Sequence, residues 1–269
     1  MQQKLSQYIK ESLESKKHDL RNYFLNSGKI RHFYLDDVLP NDVAEMVSSV
    51  FPDLKELKHN KTIRENKFIG VNLDGYNPIV KDLLFAFQDQ EILNIISEIT
   101  NIKDLQRDTS FYAAGISGMT KDCYLNPHLD NSHNADRSMY RALNILYYAE
   151  KDWKIENGGN LEIWPNGVKK GDGLTIFSKF NRLAVMETNN ASWHSVSPIT
   201  SMKGIRKCYS NYYFTKQSPV GKEYFNVTTF RARPENKLQN IALMLDGALR
   251  NVIRKIKKRN VKKIEHIYK

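Results

Sequence analysis

Cysteine is scarce in this chain, with Cys123 and Cys208 the two in 269 residues. Two thiols cannot build the bridge framework of a small secreted scaffold, and they fit a reducing compartment. Long apolar runs are also missing: no stretch approaches the roughly 18 residues that a membrane span requires. The opening MQQKLSQYIKESLESKKHDLRNYF lacks the apolar core and small-residue cleavage site of a secretory signal, so a cytoplasmic protein is expected. Nor is there an acidic excess. Lys and Arg number 41 against 30 Asp and Glu, a net charge of +11. The surplus is uneven: between Arg250 and Lys269 nine basic residues meet one acid, Glu265, so eight of those eleven charges lie in the tail and the body is nearly neutral.

What is present describes a globular chain. A hydrophobic share of 41% with 11% aromatics fits one core domain with helical additions. A helical pattern runs from residue 4 to about 25. HFYLDDVLPNDVAEMVSSVFP predicts a strand, a turn at Pro40, and a helix capped near Asn41 or Asp42 that stops before Pro52. From Pro78 to Thr100, Val80, Leu83, Leu84, Phe87, Ile92, Ile95 and Ile96 keep helical spacing with a break near Gln88 to Gln90, predicting one or two helices packed on a sheet. From Phe111 the texture changes to short β-like runs between turn residues: SFYAAG, ALNILYYA, NLEIW, GLTIFSKF, RLAVMET, SWHSVSPI and KCYSNYYF. Many short strands with Gly, Asn and Pro punctuation predict a sandwich or barrel of jelly-roll topology.

Within these runs, His128, Asp130 and His194 form a candidate metal set. Residues two apart on a strand point to one side, so His128 and Asp130 can reach a common ion while Leu129 turns away. Two imidazoles and one carboxylate leave open positions on an Fe(II), the arrangement of non-heme iron oxygenases, whereas cysteine-rich or three-histidine sets suit zinc. With seven histidines, a lone His-x-Asp is a common accident, and the surrounding sequence has to decide. His133 falls on the opposite parity and is expected in a loop. Gly158 and Gly159 are expected to form a turn, and Trp164 and Trp193 to pack.

NPHLDNSH, YRALNILYYAEKDW, ENGGNLEIWPNG, FNRLAVMET and SWHSVSPI follow one another in an order and spacing that resemble the Fe(II)- and 2-oxoglutarate-dependent dioxygenases, in particular their prolyl-4-hydroxylase-like branch. The resemblance covers about Phe111 to Phe214. It implies an α+β chain: a double-stranded β-helix (jelly roll) core flanked by N-terminal helices and a basic C-terminal helix. On this basis residues 1–30 are expected to hold the N-terminal helix and 31–215 the dioxygenase domain, with core strands from about 108. Residues 216–236 then connect to a basic amphipathic helix at 237–269. The resemblance further implies Fe(II) at His128, Asp130 and His194, and 2-oxoglutarate as co-substrate, with ascorbate a candidate reductant. Arg206, in GIRKCYSNYYF, matches the arginine that forks onto the distal carboxylate of 2-oxoglutarate, a geometry lysine would not reproduce. Tyr148 matches the tyrosine whose hydroxyl touches that carboxylate. Asn144, on the same face by parity, and Tyr124, just before the first ligand and better placed than Tyr112, are further co-substrate candidates. Cys208 stands where relatives often carry a small or hydroxyl residue. Hydroxylation of a C–H bond with release of succinate and CO2 is the implied reaction.

Substrate clues lie outside the core. Leu245, Leu249, Val252, Ile253 and Ile256 fall three or four apart, and Arg250, Arg254, Lys257 and Lys258 repeat on an adjoining face, a basic amphipathic helix. Either its apolar stripe packs on the barrel, or the helix lies on an anionic membrane surface. The tail has no interleaved aromatics, which speaks against nucleic acid. YFNVTTFRARPEN followed by this tail is similar to bacterial hydroxylases of the Kdo sugar in the lipopolysaccharide inner core. That resemblance implies an anionic glycolipid substrate at the inner face of the cytoplasmic membrane. A prolyl hydroxylase acting on a protein or a free amino acid, a small-molecule hydroxylase, and a scaffold without activity are the competing readings.

Overall fold

The computed structural model describes residues 1–108, 114–202 and 204–256. In chain order, α1 (Gln2–Asn26), β1 (His32–Leu35), α2 (Asn41–Ser49), β2 (Lys58–Lys61), β3 (Glu65–Ile69), α3 (Pro78–Ala86) and α4 (Gln90–Thr100) precede the main run of strands. Then come β4 (Gln106–Arg107), β5 (Gly115–Met119), β6 (Tyr124–Leu129), β7 (Tyr140–Tyr148), β8 (Leu161–Ile163), β9 (Leu174–Ile176), β10 (Arg182–Glu187), β11 (His194–Val196), β12 (Arg206–Thr215), β13 (Thr229–Phe230) and α5 (Lys237–Ile256). The strands join one curled antiparallel sheet in the order β1-β10-β7-β12-β5-β3-β6-β11-β8-β9. This is the jelly-roll core with helical additions that the sequence predicts.

The long strand β7 shows why the sheet curls around a filled interior. Its odd residues Leu143, Ile145 and Tyr147 enter the core shared with the helices, whereas Tyr148 and Leu146 join Ile163, Met186 and Cys208 on the other face. A strand with both faces buried has to be apolar almost throughout, which is what LNILYY supplies. The outer core is completed by Leu5, Ile9, Leu13 and Phe24 of α1 with Leu84 of α3 and Ile96 of α4. The break between α3 and α4 falls where expected, because Asp89 caps the second helix by accepting from the Glu91 N–H at 2.9 Å. Gln88, beside that cap, donates to Asn211 on β12 at 2.7 Å and so ties helix to sheet.

Several expectations are corrected. The N-cap of α2 is Pro40, with no side-chain cap from Asn41 or Asp42; Pro40 already holds the extended backbone that a cap needs. The β2–β3 hairpin, polar in sequence as KHNK and ENKFI, gives no apolar alternation to read, yet β3 bridges the two halves of the sheet through β5 and β6. In SFYAAG the strand begins at Gly115; residues 110–113, Tyr112 among them, lie outside the described residues. The segment read as a connector holds β13, which pairs with β6 at the end bearing His128.

Helix α5 settles on the body by a narrow face. Leu243 is fully buried against Phe230 and Ala232, and Arg250 donates from Nη1 to the Thr228 carbonyl at 2.8 Å. Leu238, Ile241, Leu245, Leu249 and Val252 point away, with exposures of 85%, 58%, 68%, 61% and 51%. The alternative in which the apolar stripe packs on the barrel is therefore overturned for these positions. Basic residues from 257 onward lie outside the described residues. No helix among the described residues is long and apolar enough to cross a membrane.

Ile9 is completely buried between α1 and its neighbouring helices. Ile9→Ala should cost about 2–5 kcal/mol through lost burial and the cavity left behind, read as a lower urea midpoint at unchanged slope.

Candidate active site

Antiparallel pairing of β6 with β11 sets His194 directly opposite His128. Their ring centroids are 4.1 Å apart. Asp130, one residue past the end of β6, completes the set: its Oδ1 is 3.6 Å from His128 Nε2 and its Oδ2 is 3.7 Å from His194 Nε2. One ligand atom from each residue falls within 4.8 Å of the others. Both rings are held the same way. His128 Nδ1 lies 3.0 Å from the Asn126 carbonyl, and His194 Nδ1 lies 3.0 Å from the Ser192 carbonyl. A carbonyl accepts, so each Nδ1 carries the proton and each Nε2 presents its lone pair toward Asp130.

The electrostatics suit a cation. Burial, and then the neighbouring His194, pull His128 down to about 3, leaving a neutral ligand. Burial raises the Asp130 carboxyl, but the Arg141 guanidinium and the two imidazoles outweigh it and hold it at about 2. Arg141 Nη1 sits 3.3 Å from Asp130 Oδ2, and its guanidinium stacks on Tyr212, 3.8 Å from the ring centroid. Two imidazoles that present Nε2 and a carboxylate held ionised fit a divalent metal, Fe(II) included.

Beyond the metal set, Arg206 enters from β12 and is buried. Its nearest partners are neutral: Nε reaches Ser178 Oγ at 3.4 Å, Nη1 reaches Met119 Sδ at 3.8 Å, and the guanidinium lies 4.8 Å from the Tyr148 ring centroid. Among the described residues no carboxylate pairs with it. A buried guanidinium without a counter-charge is costly, and an incoming carboxylate would relieve that cost. Tyr148 adds a donor. Its hydroxyl is buried near Arg206 and Ser178 without closing a hydrogen bond. Burial, only partly opposed by Arg206, pushes its pKa up to about 12, so it keeps its proton. Asn144 is buried on the same face, with Oδ1 lacking a partner. Gly159, at φ +70, lets the backbone lie against Arg206, since a Cβ there would come 3.3 Å from Arg206 Cγ.

The remaining candidates divide. Tyr124 is turned away from the metal side. The ladder pairs His194 with His128 but Val196 with Leu125, so a bulge in β6 puts Leu125 on the face of His128. His133 is a loop residue as expected, paired with Tyr140 across an isolated bridge. Trp164 packs, donating to Ser195 Oγ at 2.8 Å, but Trp193 lies beside Arg231 on the reverse of β11. Three contributors escape sequence reading. Arg141 has the wrong parity until a second bulge intervenes between Tyr213↔Leu143 and Phe214↔Arg141. Phe230 of β13 stacks on His128 at 5.2 Å and 20°. Lys67, paired with Glu65 at 3.0 Å on β3, adds positive charge near His128 and Cys208.

Residues 114–215, which contain the metal set and Arg206, match the family model of the 2OG-Fe(II) oxygenase superfamily. Residues 114–215 thus form a domain of the 2OG-Fe(II) oxygenase type, a type that uses Fe(II) and 2-oxoglutarate, and His128, Asp130 and His194 within it could hold the metal. Among curated proteins no sequence matches the chain. Solved structures share the fold at low identity. A Trichoplax adhaerens prolyl hydroxylase, in complex with a hypoxia inducible factor oxygen degradation domain peptide fragment, has a TM-score of 0.54 at 16% identity, over 74% of this chain and 91% of that one. A Pseudomonas putida prolyl-4-hydroxylase has a TM-score of 0.50 at 14% identity, over 74% and 99%. SnoK, a non-heme alpha ketoglutarate dependent carbocyclase from nogalamycin biosynthesis, has 0.56 at 10%, over 83% and 88%.

Arg206→Met should raise the KM for 2-oxoglutarate by roughly ten- to a hundred-fold, the worth of about 1.5–3 kcal/mol for hydrogen bonds to a charged group, with metal affinity unchanged. Arg141→Met removes the cation that offsets burial at Asp130, so the carboxyl should take up a proton at higher pH. Metal affinity, followed by chelator competition from about pH 7 down to about pH 4, should then fall at a higher pH than in the parent. Superimposable profiles would count against this role for Arg141.

Proposed function

We propose that the chain hydroxylates a C–H bond of an anionic substrate, holding the metal at His128, Asp130 and His194 and the distal carboxylate of 2-oxoglutarate at Arg206. The observation that carries this reading is the buried Arg206 without a carboxylate partner among the described residues, next to a buried, unbonded Tyr148 hydroxyl. With Fe(II) bound, dioxygen would supply the oxidising power, one of its oxygen atoms entering the substrate C–H bond and the other entering succinate as 2-oxoglutarate loses CO2. The protein's own residues do the positioning. The two Nδ1–H donors keep the imidazoles oriented, and Arg141 keeps Asp130 ionised. Arg206 and Tyr148 present a guanidinium fork and a hydroxyl to one carboxylate. Phe230 covers His128 and Tyr212 covers the Arg141 guanidinium, and such desolvation strengthens the charge interactions inside.

For the substrate, we favour an anionic glycolipid of the Kdo-sugar class, met at the cytoplasmic face of an anionic membrane. The support is the sequence similarity of residues 224–236, the concentration of basic charge after Arg250, and the apolar stripe of α5 that faces outward. Such a helix can lie in the interface with its apolar residues among the lipids while basic residues add about 1 kcal/mol each near anionic headgroups. Prolyl hydroxylation is the second reading, favoured by the fold shared with prolyl hydroxylases.

Purified protein supplied with Fe(II), 2-oxoglutarate and either a Kdo-bearing lipid A precursor, a proline-rich peptide or no substrate separates these readings. Stimulated succinate release with a product heavier by one oxygen atom is expected from the glycolipid arm, and stimulation by the peptide alone would replace that substrate. His128→Ala or Asp130→Ala should abolish succinate formation in every arm; full turnover in either variant would sink the metal assignment. Anionic liposomes should float the full chain, and removal of residues 237–269 should abolish flotation.

A further inference from the structure

Behind the metal-bearing strands lies a second cavity of about 500 Å³, lined among others by Lys169, Trp193, Arg231, Arg233, Lys237 and Asn240. It is back to back with the site already described. Trp193 precedes the ligand His194, and Arg231 follows Phe230, the residue stacked on His128. On strands, neighbours point to opposite faces, so Trp193 and Arg231 meet on the far side, with the guanidinium 5.3 Å from the ring centroid. The Arg231 backbone is pinned there by its N–H donating to the Pro127 carbonyl at 2.8 Å.

The charge in this cavity is one-sided. Four basic side chains line it and no carboxylate does. Carboxylates that touch the lining are already engaged: Glu162 takes the Arg233 fork at 2.5 and 3.2 Å and also accepts from Ser195 Oγ at 2.7 Å, and Asp172 accepts from Asn166 at 2.7 Å. Glu162 thus neutralises Arg233, while Lys169, Arg231 and Lys237 have no carboxylate partner among the described residues. Arg231 is partly stripped of water, and burial lowers its pKa without an acid to restore it. Lys237 and Asn240 belong to the first turn of the 20-residue α5, whose N-terminal amides and dipole add to the same positive potential. Like charges gathered around a cleft of this size repel one another unless an anion enters.

We propose that this cavity is an oxyanion site for a phosphorylated ligand, distinct from the 2-oxoglutarate position, with Lys169, Arg231 and Lys237 around the phosphate and Trp193 as an apolar wall. The volume leaves room for more than the phosphate itself. Free phosphorylated metabolites and lipid headgroups offer the same chemistry. The inference stands apart from the choice of substrate above, because it concerns a different face of the sheet.

The test titrates pyrophosphate, and separately vesicles of phosphatidylcholine with or without phosphatidic acid, into full-length protein whose catalytic site is saturated with Zn(II) and 2-oxoglutarate. Calorimetry and tryptophan fluorescence report binding. Saturable binding in the pyrophosphate arm identifies a soluble ligand, and binding confined to phosphatidic acid vesicles identifies a headgroup. In either arm, the Lys169→Glu/Lys237→Glu double variant should bind at least tenfold more weakly, as should Arg231→Gln, while Arg231→Lys keeps most of the affinity. Thermal midpoint and 2-oxoglutarate affinity should stay unchanged in the lysine variants, both of which sit at exposed positions. The proposal is overturned by the absence of binding in both arms, by equal binding in parent and variants, or by competition from 2-oxoglutarate.

Discussion

Everything in the centre depends on the pairing of two short strands. Once β11 runs antiparallel to β6 with His194 facing His128, two imidazoles distant in sequence share one side of one ladder. Each ring is then locked by a carbonyl two residues before it. That lock fixes the tautomer, and the tautomer decides that the free lone pairs converge on Asp130. Phe230 stacks on His128 from β13, a strand added to β6. A ladder slip of one residue would turn a histidine out of the barrel and leave a buried carboxylate facing one ligand.

Two cations then divide the interior. Arg141 is paired with Asp130 and keeps it charged, which offsets the cost of burying the carboxylate. Arg206 meets only neutral groups. The asymmetry leaves the metal set compensated by the protein and Arg206 short of one negative charge. Enclosure by apolar side chains makes the imbalance effective, because in such surroundings an unpaired guanidinium attracts a carboxylate far more strongly than it would in water. On the reverse face the pattern is repeated less deeply, where Glu162 satisfies Arg233 but leaves Lys169, Arg231 and Lys237 uncompensated by described acids.

Local pattern and parity account for much of this, and their failures have identifiable causes. The helices, the sheet from Gly115 to Thr215, the grouping of His128, Asp130 and His194, and the approach of Arg206 to Tyr148 follow from periodicity and motif resemblance. The misplaced residues cluster at irregularities. One extra residue in β6 reverses the face on which Tyr124 would have joined His128, and one in β7 brings Arg141 inward against its parity. Bulges carry no strong composition signal here, so alternate counting passes through them unaware. β3 and β13 have no local signature, since one is polar and the other two residues long; each exists through its neighbours rather than its own propensity.

The division of labour follows from the range of the forces involved. Side-chain chemistry and short-range periodicity belong to the chain as written: a His-x-Asp on a strand, a distant His, a strand Arg, an amphipathic helix ahead of a basic tail. Register, bulges and the choice of helix face arise from non-local pairing. The structure thus turned Tyr124 from the metal side, set Arg141 beside the metal carboxylate, and rested α5 on Leu243 with its longer apolar stripe outward. No local pattern could choose among these, because each choice is made by the partner that covers the residue and not by the residue itself.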